Sequence, residues 1–101
     1  MSVIVTAKIK GDVAAFRKSL DERAGEFEKT AERGREAGAI HHRFGIGDGY
    51  VLVVDEWESV EQFEKFFGDP ELQAFIGTVG GDTSAPPEIT VAEAISSVDE
   101  F

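Results

Sequence analysis

The chain has 101 residues, 42% hydrophobic and 30% charged, with no cysteine and a formal net charge of -10 from 20 acidic and 10 basic side chains. That length supports one domain with a single modest core, and the composition is that of a folded globular chain rather than a disordered one. The negative field repels phosphate backbones and anionic lipids, which excludes nucleic acid and membrane partners. The missing thiols exclude disulfides, thiol nucleophiles and thiolate metal sites.

Met1-Ser2 runs straight into a strand-like segment without a basic, cleavable leader. No apolar run approaches the roughly 20 residues of a membrane helix, so a cytoplasmic protein is expected. SVIVTAKI, residues 2–9, is short and β-branched and predicts a strand. Gly11-Asp12 breaks it, and Asp12 can cap a helix by accepting its orphan amide protons. Val13, Phe16, Leu20, Ala24, Phe27 and Ala31 recur at steps of three and four, predicting one long helix with one apolar stripe. Gly38 stands where a left-handed residue would end it. Residues 39–46 and 50–57 read as the arms of a β-hairpin around Gly47-Asp48-Gly49, because Asp-Gly tolerates the positive φ of a tight two-residue turn. Ser59 and Gln62 form a capping box for a short helix whose apolar side is Val60, Phe63, Phe66 and Phe67. Asp69-Pro70 starts another, with Leu72, Phe75 and Ile76 inward as far as Gly77. GTVGGDTSAPPE lacks periodicity and predicts a mobile loop from Gly77 to Pro87, able to act as a lid. EITVAEAI, residues 88–95, predicts the last strand, and SSVDEF is a short acidic tail. The order β-α-β-β-α-β is an α+β, ferredoxin-like arrangement with a four-stranded antiparallel sheet, one domain over residues 1–101.

The hairpin AIHHRFGIGDGYVLVVDEW carries the sharpest chemistry. With Asp48-Gly49 central, Ile46 faces Val51, Phe44 faces Val53, His42 faces Asp55 and Ile40 faces Trp57. These eight share one mostly apolar face. The other face carries His41 opposite Glu56, with Arg43, Leu52 and Val54. A three-residue turn would shift the pairing by one and set His41 against Asp55. The first register is preferred because it makes two complementary His–acid pairs. A carboxylate beside an imidazole fixes its tautomer and strengthens it as a general base, so His42 and Asp55 are the candidate catalytic pair. The structural alternative is that each simply satisfies the other in the core. His41, Arg43 and Glu56 read as an interface network. Adjacent histidines on a strand point to opposite faces and cannot share one ion, so no metal site is expected. No Gly-x-Ser-x-Gly elbow and no glycine-rich phosphate loop occurs.

The run from Gly38 through Trp57 to Phe75 resembles the antibiotic biosynthesis monooxygenase-like family of dimeric α+β barrels. The shared pattern is a long first helix ending in glycine, a hairpin, then an acid-x-Trp-x-Ser opening to a short helix. It stands here as AGAIHHRF, DEWES and VEQFEKFFGDPELQAF. The resemblance implies a homodimer with a small hydrophobic pocket in each protomer. The family includes cofactor-independent monooxygenases, haem-degrading enzymes and proteins without known activity. Many members carry His or Trp nine residues after the motif tryptophan, where this chain has Phe66. The iron-ligating His of the haem-degrading branch falls about where Phe75 or Ile76 stands, and the chain contains no asparagine. Family-type haem ligation is therefore not implied, and no cofactor is expected.

Two readings follow. In one, the protein is a cofactor-free oxygenase of a small aromatic substrate, with His42 as base, Asp55 as its orienter, and Phe44, Trp57, Phe63, Phe66 and Phe67 lining the pocket. In the other, a homodimer of the same fold binds an apolar small molecule in that pocket without turnover. A regulatory ligand-binding domain is a weaker third, since such domains usually come fused to an enzyme. Fold cannot choose among them, because function lives in sites grafted onto folds.

Overall fold

A computed structural model describes residues 2–101. The elements are β1 (Val3–Lys10), α1 (Val13–Glu22), α2 (Ala24–Ala37), β2 (Ala39–Gly47), β3 (Tyr50–Trp57), α3 (Val60–Phe67), α4 (Pro70–Thr78) and β4 (Glu88–Glu93). The strands form one antiparallel sheet in the order β2-β3-β1-β4, the ferredoxin-like topology expected from the element order.

The starts of α1, α3 and α4 are each set by a short polar side chain. The Asp12 carboxylate accepts from the Ala15 amide at 3.0 Å, and that of Asp69 accepts from the Glu71 amide at 2.8 Å. Ser59 Oγ accepts from the Gln62 amide at 3.2 Å and donates to Gln62 Oε1 at 2.8 Å, so the glutamine returns to the hydroxyl.

The single long helix expected after Asp12 is instead two. Arg23 leaves helical geometry, with φ -123° and ψ 30°, ending α1 through its N–H to the Ser19 carbonyl. Its own carbonyl then accepts from Glu26 and Phe27 to begin α2. The side chain explains the position of the break. Its guanidinium pairs with Glu26, lies over the Phe75 ring at 5.4 Å and donates to the Thr78 carbonyl at the end of α4. Ala24, assigned to the inward stripe, is exposed.

The hairpin adopts the expected register from His41 to Gly47, including His42 opposite Asp55 and Phe44 opposite Val53. Ile40 does not face Trp57. A bulge between Ala39 and His41 sets Ala39 against Trp57 and leaves Ile40 45% exposed. An extra residue on one strand resets its side-chain alternation, and here it brings the smaller side chain to the tryptophan. Only Gly49 of the turn has positive φ, at 78°, so Asp48 keeps an ordinary backbone. His41 stands opposite Glu56 as expected, but their side chains do not pair; Glu56 instead accepts the Ser2 hydroxyl at 2.5 Å.

The segment after α4 is also more fixed than its composition suggested. Val79 is buried, the Gly80 carbonyl accepts from the Asp12 amide at 2.8 Å, and the Asp82 amide donates to the Lys10 carbonyl at 2.8 Å. Gly11 and Gly81 form a β-bridge. Such pinning leaves only residues 83–87 of the expected lid as an open turn, because the backbone at Gly80 and Asp82 is already bonded to Asp12 and Lys10. The last strand ends at Glu93, two residues early.

The helices cover one face of the sheet and divide its core in two. Val5, Trp57 and Phe63 form one buried cluster, joined by Val3, Ala37, Ala39, Phe66 and Phe67. Phe16, Val51 and Val79 form the other, joined by Leu20, Phe27, Phe44 and Phe75. Ile4, Leu52 and Val54 project from the opposite face, which no helix covers; Ile4 is 43% and Val54 39% exposed.

Two glycines separate backbone strain from crowding. Gly49 and Gly80 both have positive φ, but a Cβ at Gly49 would meet nothing within 4 Å, whereas one at Gly80 would lie 2.7 Å from the Asp12 carbonyl oxygen. Gly49→Ala should cost about 1 kcal/mol from left-handed geometry alone. Gly80→Ala should cost more than about 2 kcal/mol, because it also displaces the helix cap. Urea unfolding of the two variants measures the difference; equal losses would show that the Gly80 contact relaxes freely.

Candidate active site

Between the two core clusters lies a cavity of about 550 Å³. That is the size class of small-molecule sites, which are mostly apolar with few polar groups. The sheet supplies its floor through Phe44, Val51, Val53, His42 and Asp55. Helices α1, α2, α3 and α4 supply Phe16, Phe27, Phe66 and Phe75. Its polar lining is confined to Glu28, Thr30, Arg35, His41, His42 and Asp55. Several of the lining rings meet edge to face. Phe16 stands at 81° to Phe44 with centroids 5.0 Å apart, and Phe27 at 69° to Phe75, also at 5.0 Å.

His42 and Asp55 meet inside this setting as their register requires. His42 Nδ1 is 2.7 Å from Asp55 Oδ1, and Trp57 Nε1 donates to Asp55 Oδ2 at 3.0 Å. Asp55 is 8% exposed and Trp57 1%, whereas the His42 side chain is 41% exposed. The carboxylate is thus held from behind by a rigid indole and presents its second oxygen to the imidazole. An acceptor-only carboxylate at Nδ1 selects the tautomer with the proton on Nδ1, which leaves Nε2 free to accept one. The Phe44 ring packs at 84° to the imidazole, centroids 4.6 Å apart, and limits its rotation.

The residues read from the sequence as a site divide accordingly. His42, Asp55, Phe44, Phe63, Phe66 and Phe67 all line the cavity. Trp57 does not; it lies behind the wall, 5.4 Å from Phe66 and 5.8 Å from Phe63 between ring centroids. Its contribution to the site is the hydrogen bond to Asp55. Phe16, Phe27, Leu72, Phe75, Ile76 and Val79 line the cavity as well and were not among the expected site residues. Their apolar spacing marked them as inward-facing, but a hollow and a packed core leave the same spacing. Among the described residues no group of three or more His, Asp or Glu is arranged to hold a metal ion, and no helix is long and apolar enough to cross a membrane.

No protein-family model and no curated protein matches the sequence. Solved structures match its fold. SnoaB, a cofactor-independent oxygenase from Streptomyces nogalater, is 14% identical with a TM-score of 0.64 over 98% of each chain. A monooxygenase from ActVA-Orf6 of Streptomyces coelicolor, in complex with nanaomycin D, is 19% identical with a TM-score of 0.67, over 99% of this chain and 93% of that one. A dimeric ferredoxin-like protein from an uncultured marine organism is 17% identical, TM-score 0.63, over 99% and 93%. At such identities the likeness is one of fold, and it spans essentially the whole chain. The fold is that of antibiotic biosynthesis monooxygenases, the group whose pattern the run from Gly38 to Phe75 resembles.

Proposed function

We propose that this protein is a cofactor-independent monooxygenase of a small, electron-rich aromatic molecule, acting as a homodimer with one pocket per protomer. The observation that carries the reading is an oriented imidazole, backed by a buried carboxylate, at the edge of an aromatic cavity of substrate size. The fold likeness to oxygenases adds to it.

The chemistry asks for few protein groups. A phenol bound among the phenylalanines presents its hydroxyl to His42 Nε2, which accepts the proton, and Asp55 stabilises the imidazolium that forms. The phenolate is electron-rich enough to reduce dioxygen. One oxygen atom enters the ring as a quinone carbonyl and the other leaves as water, so phenol and dioxygen give quinone and water with no outside reductant. The apolar walls exclude water from the anion, and positioning by the rings supplies orientation. In the competing reading the same pocket holds such a molecule without turnover, and dioxygen consumption separates the two.

Dimerisation follows from the bare sheet face. Ile4, Leu52 and Val54 would form an exposed apolar patch on a monomer, and contiguous patches of this kind mark interaction surfaces. Packing two such sheets face to face buries them with two-fold symmetry. Light scattering at micromolar concentration should give twice 11.0 kDa, and Val54→Asp should reduce it to the monomer mass. A parent of monomer mass would remove the dimer.

For the chemistry, His42→Ala should lower kcat for oxygen uptake with an electron-rich phenol or hydroquinone by about a hundredfold or more, with the fold retained and a stability loss of about 1–3 kcal/mol from the Asp55 oxygen left without its partner. His41→Ala should leave turnover intact. Unfolding of His42→Ala, with no turnover in the parent, would make the histidine structural.

Trp57 serves as a positioning residue. Trp57→Phe removes the indole donor and leaves Asp55 Oδ2 buried without it, a loss of about 1–3 kcal/mol in unfolding free energy. If the indole orients the His–Asp pair, kcat falls while KM holds. A loss of stability with kcat retained would confine Trp57 to the core.

A further inference from the structure

A second, much smaller hollow lies on the far side of the main cavity's wall. Its volume is about 70 Å³. That admits a few water-sized molecules and falls far short of the roughly 300 Å³ at which sites for organic ligands begin. It is bounded by Ile9 of β1, Phe67 of α3, Gln73 and Ile76 of α4, and the turn before β4. Ile9, Phe67 and Ile76 also line the main cavity, so the partition between the two spaces is one side chain thick. Beside them the main cavity is lined by Gly11, Gly80 and Gly81, which add no side chain to the barrier.

The chemistry of the hollow suits an apolar occupant. Gln73 Nε2 already donates to the Phe67 carbonyl at 2.6 Å. Asp82 Oδ1 accepts from the Ser84 amide at 3.0 Å and the Ser84 hydroxyl at 2.5 Å. Pro86 and Pro87 have no N–H to give. Asp82, Thr83 and Pro86 are exposed and form the rim, whereas Ile9, Phe67, Ile76 and Ala85 are half-buried within. A resident water needs two to four polar partners, and this inner wall offers few.

The main cavity opens elsewhere. Its exposed lining residues are Glu28, Ala31 and Arg35 of α2 and Ile40, His41 and His42 of β2. That mouth stands at the β2 edge of the sheet, while the small hollow lies against β1 and the turn leading into β4. Two strand spacings, roughly 10 Å, separate β2 from β1. An aromatic molecule whose hydroxyl reaches His42 occupies the mouth, so the second reactant of an oxygenase needs another way in.

We propose that the small hollow is a dioxygen site, and the port through which the gas crosses the Ile9–Ile76 partition to the seated aromatic. Dioxygen is apolar and diatomic, so it fits the hollow and passes a single layer of side chains as they hop between rotamers. A phenol is too large to follow. The inference rests on the monooxygenase reading and adds a separate route for the gas.

The test uses the full chain, with xenon as the probe of occupancy because it is apolar, small and enters dry cavities. Under xenon pressure, the methyl resonances of Thr83 and Ala85, which border the small hollow alone, should shift saturably. Ala85→Phe fills the hollow and should abolish the shift at Thr83. In oxygen uptake with a hydroquinone, the same variant should raise KM for dioxygen about fivefold or more. Its kcat at saturating dioxygen and its KM for the hydroquinone should hold. Thr83→Trp should do the same from the exposed rim, where it displaces no buried side chain. Xenon shifts at Leu20 and Leu72 of the main cavity with none at Thr83 or Ala85 would overturn the gas site. Xenon in the hollow, but an unchanged KM for dioxygen in both variants, would overturn the port. Either result leaves the monooxygenase standing, whereas a parent that consumes no dioxygen removes the monooxygenase and the port together.

Discussion

The structure depends on how one buried carboxylate is satisfied. Asp55 lies on the helix-covered face of a central strand, where an uncompensated charge would cost several kcal/mol. Trp57, two residues along the same strand and hence on the same face, takes one oxygen, and His42, directly across the ladder, takes the other. Neither partner is interchangeable. The indole can only donate and is itself buried, so it fixes the carboxylate; the imidazole can donate from either nitrogen and is half exposed, so it is the end of the chain that chemistry can reach.

Around that pair, the hairpin's bulge and the helix break do related work. The bulge at Ile40 turns an isoleucine out and brings Ala39 onto Trp57, keeping the indole's neighbourhood small enough for Phe66 to approach it. Gly34 on α2 faces the same Phe66 ring, where a Cβ would already sit in contact at 3.5 Å, so α2 lies close over that end of the sheet. At the other end, Arg23 ties the junction of α1 and α2 to Phe75 and the last turn of α4. The helices are thus anchored at both ends of the sheet and stand apart over its middle. A hollow flanked by two packed clusters is the outcome, where a chain of this size ordinarily closes one continuous core.

Much of this was legible in residue order because it depends on local chemistry. Asp12, Ser59 and Asp69 cap their helices as their positions required, and Asp48-Gly49 placed the turn that sets His42 against Asp55. The site's aromatic lining was half legible. Phe44, Phe63, Phe66 and Phe67 sit near the hairpin in sequence, whereas Phe16, Phe27 and Phe75 arrive from helices whose placement over the sheet no local pattern states.

What the sequence by itself determined is whatever a side chain imposes within a few residues: element order, helix starts, the hairpin register, and so the meeting of an imidazole with a carboxylate. What only the tertiary structure decided is whatever depends on distant surfaces meeting. Gly80 and Asp82, in a stretch that reads as a free loop, are held by backbone bonds to Asp12 and Lys10. Glu56, placed across from His41, accepts its hydrogen bond from Ser2, just before the neighbouring strand. Trp57, expected in the pocket wall, is buried behind it as the donor to Asp55. The physical reason is the same in each case. Hydrogen bonds and packing between segments far apart in the chain carry no periodic signature, and they exist only once the sheet and helices have come together.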